Sequence, residues 1–283
     1  MAKPRKLGRP RGWAFSTAVA IVKPPLLAFT RRRWIDGHRL PLSGGCVVAG
    51  NHISHLDPFT LAHFVYDHGR LPRYLAKAEV FDVPVGGRIV RSAGQIPVSR
   101  LTTDASQAFA AAVEAVNRGE CVVVYPEGTI TREPDLWPMT GKTGAARIAL
   151  STGCPVVPVA QWGVHEILPP YAKRPTLLPR KTVTVKAGDP VDLDDLRDQP
   201  LTPEVLHEAT SRIMDAITRL LEDIRGEPAP EVRFDPRTMG VREIGNPNGE
   251  AGPHATRRGE ARQHEARQHE ARQHGARQKR TGR

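Results

Sequence analysis

Residues 121–125 read Cys-Val-Val-Val-Tyr, an apolar run with no polar alternation. A strand of this kind cannot leave one face in water; it needs cover on both sides, as inner strands of parallel sheets have. Two further runs, 46–49 (CVVA, after the turn Ser43-Gly44-Gly45) and 156–159 (VVPV), behave alike. Residues 74–78 and 95–98 are additional strand candidates, and 182–187 alternates as expected of an outer strand. Helical stretches separate these runs. Residues 58–66 follow Asp57, placed as N-cap, with Pro58 at the first helical position. Residues 104–117 are Ala-rich and stop at Gly119, 142–151 end at Gly153, and 203–224 form a long amphipathic helix. The alternation predicts one α/β domain with a mostly parallel central sheet flanked by helices. Functional groups in such sheets collect on loops beyond the carboxyl ends of the strands.

The net charge of +11 is unevenly spread. Residues 1–34 carry nine Lys or Arg and no acid, and 249–283 carry nine against four Glu. Taking those ends away leaves the body, 35–248, at about −3. A nucleic-acid-binding fold would carry its positive stripe on the body, so no nucleic-acid partner is expected. Basic arms fit an anionic membrane surface instead. The cysteines, Cys46, Cys121 and Cys154, are far apart and form no CxxC pair, which argues against a disulfide scaffold or structural zinc.

The basic lead runs into an apolar stretch, 13–29, interrupted by Lys23-Pro24-Pro25 and closed by Arg31-Arg32-Arg33-Trp34. It lacks the small-residue cleavage site of a secretory signal and the roughly 20 unbroken apolar residues of a spanning helix. Two short helices entering one leaflet are expected, with Trp13 and Trp34 at the interface and arginines on headgroups. The alternative is an amphipathic helix packed on the domain. The expected division is thus a membrane-associating segment over 1–34, a catalytic domain over 35–226, and a low-complexity tail over 227–283. In that tail EARQH repeats three times in tandem; its period matches no helical seam and it holds almost nothing apolar beyond Ala, so disorder is expected. A metal role for His254, His264, His269 and His274 is not favoured.

The loop after the first buried run is Gly50-Asn51-His52-Ile53-Ser54-His55-Leu56-Asp57-Pro58. It places a histidine just beyond a strand and an aspartate at the start of a helix. A carboxylate on one ring nitrogen fixes the tautomer and leaves the other nitrogen as general base. No G-x-S-x-G elbow supplies a nucleophile, so the hydroxyl to be activated would belong to a substrate. Asp57 also reads as a mere cap, and His52 as a buried polar group. The His52, His55, Asp57 spacing matches no common zinc motif, and no metal is expected.

The block from Asn51 to Asp57 resembles the N-H-x-S-x-x-D block of the glycerolipid acyltransferase family, typified by 1-acyl-glycerol-3-phosphate acyltransferases. Other blocks follow in order. Ala76-Lys77-Ala78-Glu79-Val80-Phe81, then Gly94-Gln95-Ile96-Pro97-Val98-Ser99-Arg100, is similar to the second. Val124-Tyr125-Pro126-Glu127-Gly128-Thr129 is similar to the third, F-P-E-G-T-R-S. Lys142-Thr143-Gly144-Ala145-Ala146 resembles the helix start that follows, and Pro155-Val156-Val157-Pro158-Val159 the fourth block. The resemblance covers roughly residues 35–200.

It implies an O-acyltransferase in which His52 is the base and Asp57 its partner. The acceptor would be a lysophospholipid, esterified at the 2-hydroxyl of 1-acyl-glycerol-3-phosphate to give phosphatidic acid. The donor would be acyl-CoA or acyl carrier protein, and no cofactor is needed. Asn51, Ser54, Lys77, Arg100, Glu127, Gly128, Thr129, Arg132 and Lys142 are the implied substrate-binding positions. The implied location is the cytoplasmic face of the cell membrane, held peripherally or monotopically. One position departs: Ile130 stands where the third block has arginine. Arg132 reaching the site, Arg100 acting alone, or another acceptor (glycerol-3-phosphate, another lysophospholipid, a glycolipid) would each accommodate it. A hydrolase, or a non-catalytic membrane-binding protein, is the remaining alternative.

Overall fold

The apolar runs form the middle of a seven-stranded sheet. The computed structural model describes residues 5–7, 12–84, 86–98 and 102–241. Its strands are β1 (Thr30–Ile35), β2 (Cys46–Gly50), β3 (Pro72–Lys77), β4 (Ile96–Val98), β5 (Cys121–Val124), β6 (Val156–Trp162) and β7 (Lys181–Ala187). They lie in the order β1-β7-β6-β2-β5-β3-β4. The β6–β7 pair is antiparallel and the other pairings are parallel. The helices are α1 (Trp13–Phe29), α2 (Asp57–Asp67), α3 (Gly86–Ser92), α4 (Thr102–Asn117), α5 (Gly144–Thr152), α6 (Asp194–Arg197) and α7 (Pro203–Arg225).

The absence of polar alternation in β2 and β5 has its cause in the two cores. Val47, Ala49, Val122 and Val124 face one core, against α4, α5 and α7. Cys46, Val48, Cys121 and Val123 face the other, against Leu61, Phe64 and Val65 of α2. Every side chain of these strands therefore loses contact with water, and a polar one would cost free energy without a partner.

Three expectations change. First, α1 is one helix that runs through Pro24 and Pro25, not two short ones. Proline removes a backbone donor and crowds the preceding turn, but tertiary contacts hold this one together. Ala14 and Phe15 are buried beside Ala93, with Phe15 stacked on Tyr66. Lys23 Nζ donates to Asp67 Oδ1 at 2.8 Å. Second, the arginine run is a strand, β1, paired with β7 from Thr30↔Lys181 to Ile35↔Lys186, with Arg31 and Arg33 left exposed. Arg32 and Trp34 turn onto Asp67, at 3.2 Å each, and Trp34 packs edge-on against His63 and Phe64. With so many donors, the Asp67 carboxyl is held far below the usual carboxylate range, although burial opposes this. Third, β7 is an inner strand because β1 covers its edge.

Gly226, in the left-handed conformation, ends α7. The chain nevertheless continues along the body. Thr140 N donates to Phe234 O at 2.9 Å, and Arg233 pairs with Asp215 at 2.6 Å. Met1–Glu243 forms one compact unit. The EARQH repeats and their histidines lie outside the described residues. Among the described residues no helix is long and apolar enough to cross a membrane.

Candidate active site

Strand β2 ends at Gly50, and residues 51–56 bridge to α2 across the carboxyl end of the sheet. Asp57 is the first helical residue rather than the N-cap, which is Leu56. Its side chain reaches back into the loop. Oδ2 accepts from Ile53 N at 2.5 Å and Ser54 N at 2.7 Å, and meets His52 Nδ1 at 2.8 Å. The cap and catalytic readings of Asp57 therefore describe one arrangement: the carboxylate that orders the loop also orients the imidazole. A carboxylate only accepts, so Nδ1 carries a proton, and in the neutral imidazole Nε2 is then the nitrogen with the lone pair. The His52 side chain is 16% exposed while that of Asp57 is fully buried, so His52 is the member of the dyad that a substrate can reach.

A second carboxylate holds the loop from behind. Glu127 Oε1 accepts from His52 N at 2.9 Å and Oε2 from Met139 N at 3.2 Å. Thr131 N donates to His52 O at 2.7 Å, which seats the 125–131 turn beside the histidine. Burial pushes the Glu127 carboxyl up to about 8, against the pull of the His52 and Met139 N–H groups. The Tyr125 ring stacks on the imidazole, with centroids 4.4 Å apart and planes 21° from parallel. A base aimed outward on a fixed carboxylate, with no nucleophile of its own, suits activation of a substrate hydroxyl.

Residues 32–162 match the family model described as Acyltransferase. This stretch is similar to the acyltransferase family. The chain is 34% identical over 125 residues to a chloroplastic 1-acyl-sn-glycerol-3-phosphate acyltransferase of Brassica napus, covering 44% of this chain and 35% of that one. It is 28% identical over 127 residues to a 1-acyl-sn-glycerol-3-phosphate acyltransferase of Borreliella burgdorferi, covering 44% and 49%. The matched stretch thus spans between a third and a half of those relatives. The fold resembles the crystal structure of the 1-acyl-sn-glycerophosphate acyltransferase PlsC of Thermotoga maritima. The TM-score is 0.56 at 23% identity, over 77% of this chain and 83% of that one.

Two of the expected substrate-binding positions hold backbone. Asn51 and Ser54 are fully buried. Asn51 Oδ1 accepts from Gln161 N at 2.8 Å, Asn51 Nδ2 donates to Gln161 O at 3.0 Å, and Gln161 Nε2 returns a bond to Asn51 O. Ser54 Oγ donates to Leu168 O at 2.7 Å. Their polar atoms are committed to β6 and to the 168 turn, because a buried amide or hydroxyl must find a partner. The amides of His52, Ile53 and Ser54 are likewise occupied by Glu127 and Asp57. An oxyanion hole, expected from backbone N–H groups of this loop or a helix terminus, therefore cannot use those three as they stand.

Gly128 and Lys142 come together. Gly128 has φ +70°, a conformation that favours glycine, and a Cβ there would sit 3.2 Å from the Lys142 Cδ, Cε and Nζ atoms. Thr129 is half-buried on the same turn. The Ile130 side chain is buried, so the position points inward. Its carbonyl accepts from Tyr171 Oη at 3.0 Å, and the Arg132 guanidinium lies 5.6 Å from the Tyr171 ring centre. The same ring meets exposed His55 edge-on at 6.2 Å, so Tyr171 links Arg132 to the catalytic loop. Lys77 ends β3, but its side chain lies outside the described residues, as does all of Arg100. Tyr125, Gln161 and Tyr171 were missed from sequence. Gln161 had a signal: it is a polar residue directly following a buried apolar run.

Proposed function

We propose that the chain transfers a fatty acyl group from acyl-CoA or acyl carrier protein to the 2-hydroxyl of 1-acyl-glycerol-3-phosphate, giving phosphatidic acid. The observation that carries this reading is the His52 Nδ1–Asp57 Oδ2 contact of 2.8 Å, on a histidine whose side chain stays 16% exposed. The curated relatives named for this reaction support the acceptor. His52 Nε2 takes the hydroxyl proton as the oxygen attacks the thioester carbonyl. The tetrahedral adduct collapses, the C–S bond breaks, and the thiolate leaves with the proton returned by the imidazolium. Asp57 stabilises that imidazolium, and general-base assistance of this kind contributes about 10²- to 10⁴-fold.

Lys142 across Gly128, and Arg132 on Tyr171, are the cations proposed to meet the acceptor phosphate. Work at the cytoplasmic membrane face is part of the proposal, supported by α1, which exposes Trp13, Ile21 and Leu27. One observation favours a second reading: Ile130 is buried where the family block carries arginine, which suits a different acceptor. Purified chain assayed with labelled acyl-CoA against lysophosphatidic acid, glycerol-3-phosphate, other lysophospholipids and glycolipids separates the two. Preferred turnover of lysophosphatidic acid is expected. Turnover of another acceptor without it overturns the first reading, and free fatty acid released without acceptor indicates a hydrolase.

A further inference from the structure

The segment between Glu166 and β7 starts beside the catalytic loop and ends at α1. At its start Leu168 O binds Ser54 Oγ, and Tyr171 stands beside His55. At its end Arg180 Nη2 donates to Leu27 O at 2.8 Å and Thr30 O at 2.7 Å, joining it to the end of α1. Between these anchors residues 173–180 are exposed without interruption. The tip is Leu177-Leu178, 36% and 71% exposed. Lys173, Arg174, Arg180 and Lys181 surround it, and no acid occurs from Ile167 to Gly188. Among the described residues no acidic side chain pairs with any of these four cations.

We propose that the 172–181 loop is a second membrane contact, in which Leu177 and Leu178 enter an anionic lipid surface while the four cations meet its headgroups. An apolar tip with a cationic collar has the form of an interfacial anchor: leucines enter the headgroup–acyl boundary and Lys or Arg stems reach back to phosphate. Two leucines fall far short of the roughly 800 Å² per partner that a specific protein interface buries. The tip is also continuous with the exposed Leu27 end of α1, through Arg180. Pro175 and Pro179 flank the leucines and restrict their backbone, so little order is lost on insertion. With its other end on Ser54 and His55, the loop sets the His52 mouth toward the bilayer that holds both proposed substrates. The purpose of the contact rests on the proposed lipid acceptor; its test reads binding alone.

Cys46, Cys121 and Cys154 are buried, so Leu178→Cys places an exposed thiol for an environment-sensitive dye. The labelled full chain is mixed with phosphatidylcholine vesicles, with equimolar phosphatidylcholine–phosphatidylglycerol vesicles, or with a purified acidic carrier protein. A blue shift with the anionic vesicles is expected, and Leu177→Ser with Leu178→Ser should weaken sedimentation with them by about tenfold. No shift with anionic vesicles overturns the proposal even if the chain pellets. An equal shift with phosphatidylcholine alone overturns the anionic surface, and a shift with the carrier protein alone reassigns the loop to a protein partner. Because no acyl donor is present, failure here is separate from failure of the acyl-transfer reading.

Discussion

Two loops at the carboxyl end of the sheet carry opposite designs. The catalytic loop, 51–56, is held by buried hydrogen bonds from several elements. Asp57 takes three of its donors, Glu127 a fourth, Gln161 clasps Asn51, and Leu168 receives Ser54. The 172–181 loop turns eight consecutive residues to solvent; Arg180 ties its end to α1, and Thr176 N donates to Ile167 O at 2.7 Å beside the leucine tip. Proton transfer needs a nitrogen held within a few tenths of an ångström, so the first loop is stabilised by buried hydrogen bonds. Attachment to a fluid surface needs reach and exposed charge. The two designs should respond differently to substitution.

Asp57→Ala should break the first loop most completely. It removes the partner of His52 and leaves two buried amides without an acceptor, at about 1–3 kcal/mol each. Thermal unfolding should show that loss together with at least a hundredfold fall in kcat/KM. Retained stability would mean that Asp57 does not order the loop. His52→Ala should separate chemistry from architecture: turnover falls about 10²- to 10⁴-fold, while the midpoint of unfolding falls less than in Asp57→Ala, because the loop amides keep their carboxylate acceptor. Activity near wild type would remove His52 from the mechanism. In the second loop, the double serine variant should change vesicle binding and leave the unfolding free energy within about 0.5 kcal/mol.

A pH dependence is also expected. The Glu127 carboxyl rises from its ordinary 4.5 to about 8 in the folded chain. Between those values the folded state holds a proton that the unfolded state has lost. This contribution to stability is full below about 4.5, declines as pH rises, and is gone above about 8. Glu127→Gln should therefore flatten the fall in melting temperature between acid and mildly alkaline pH. An unchanged slope would assign the fall to other groups.

Where sequence reading succeeded, the information was local. Continuous apolar runs require cover on both faces, and β2, β5 and β6 have it. The five-residue step from His52 to Asp57 suits a strand–turn–helix that folds the carboxylate back onto the imidazole. Reading failed where partners are remote. Thr30 to Ile35 is polar enough to pass for a surface segment, and becomes a strand because β7, about 150 residues later, supplies its hydrogen bonds. Helix α1 survives two prolines because Asp67 holds Lys23.

The sequence by itself determined the alternating α/β class, the position of the dyad after β2, and the family resemblance, since periodicity and short spacing are properties of neighbouring residues. Only the tertiary structure decided that Asn51 and Ser54 hold backbone, that Glu127 grips His52 from 75 residues away, and that a cationic leucine tip sits beside α1. Those outcomes depend on which buried polar atoms find partners once the sheet closes, and closure joins residues that share no local pattern.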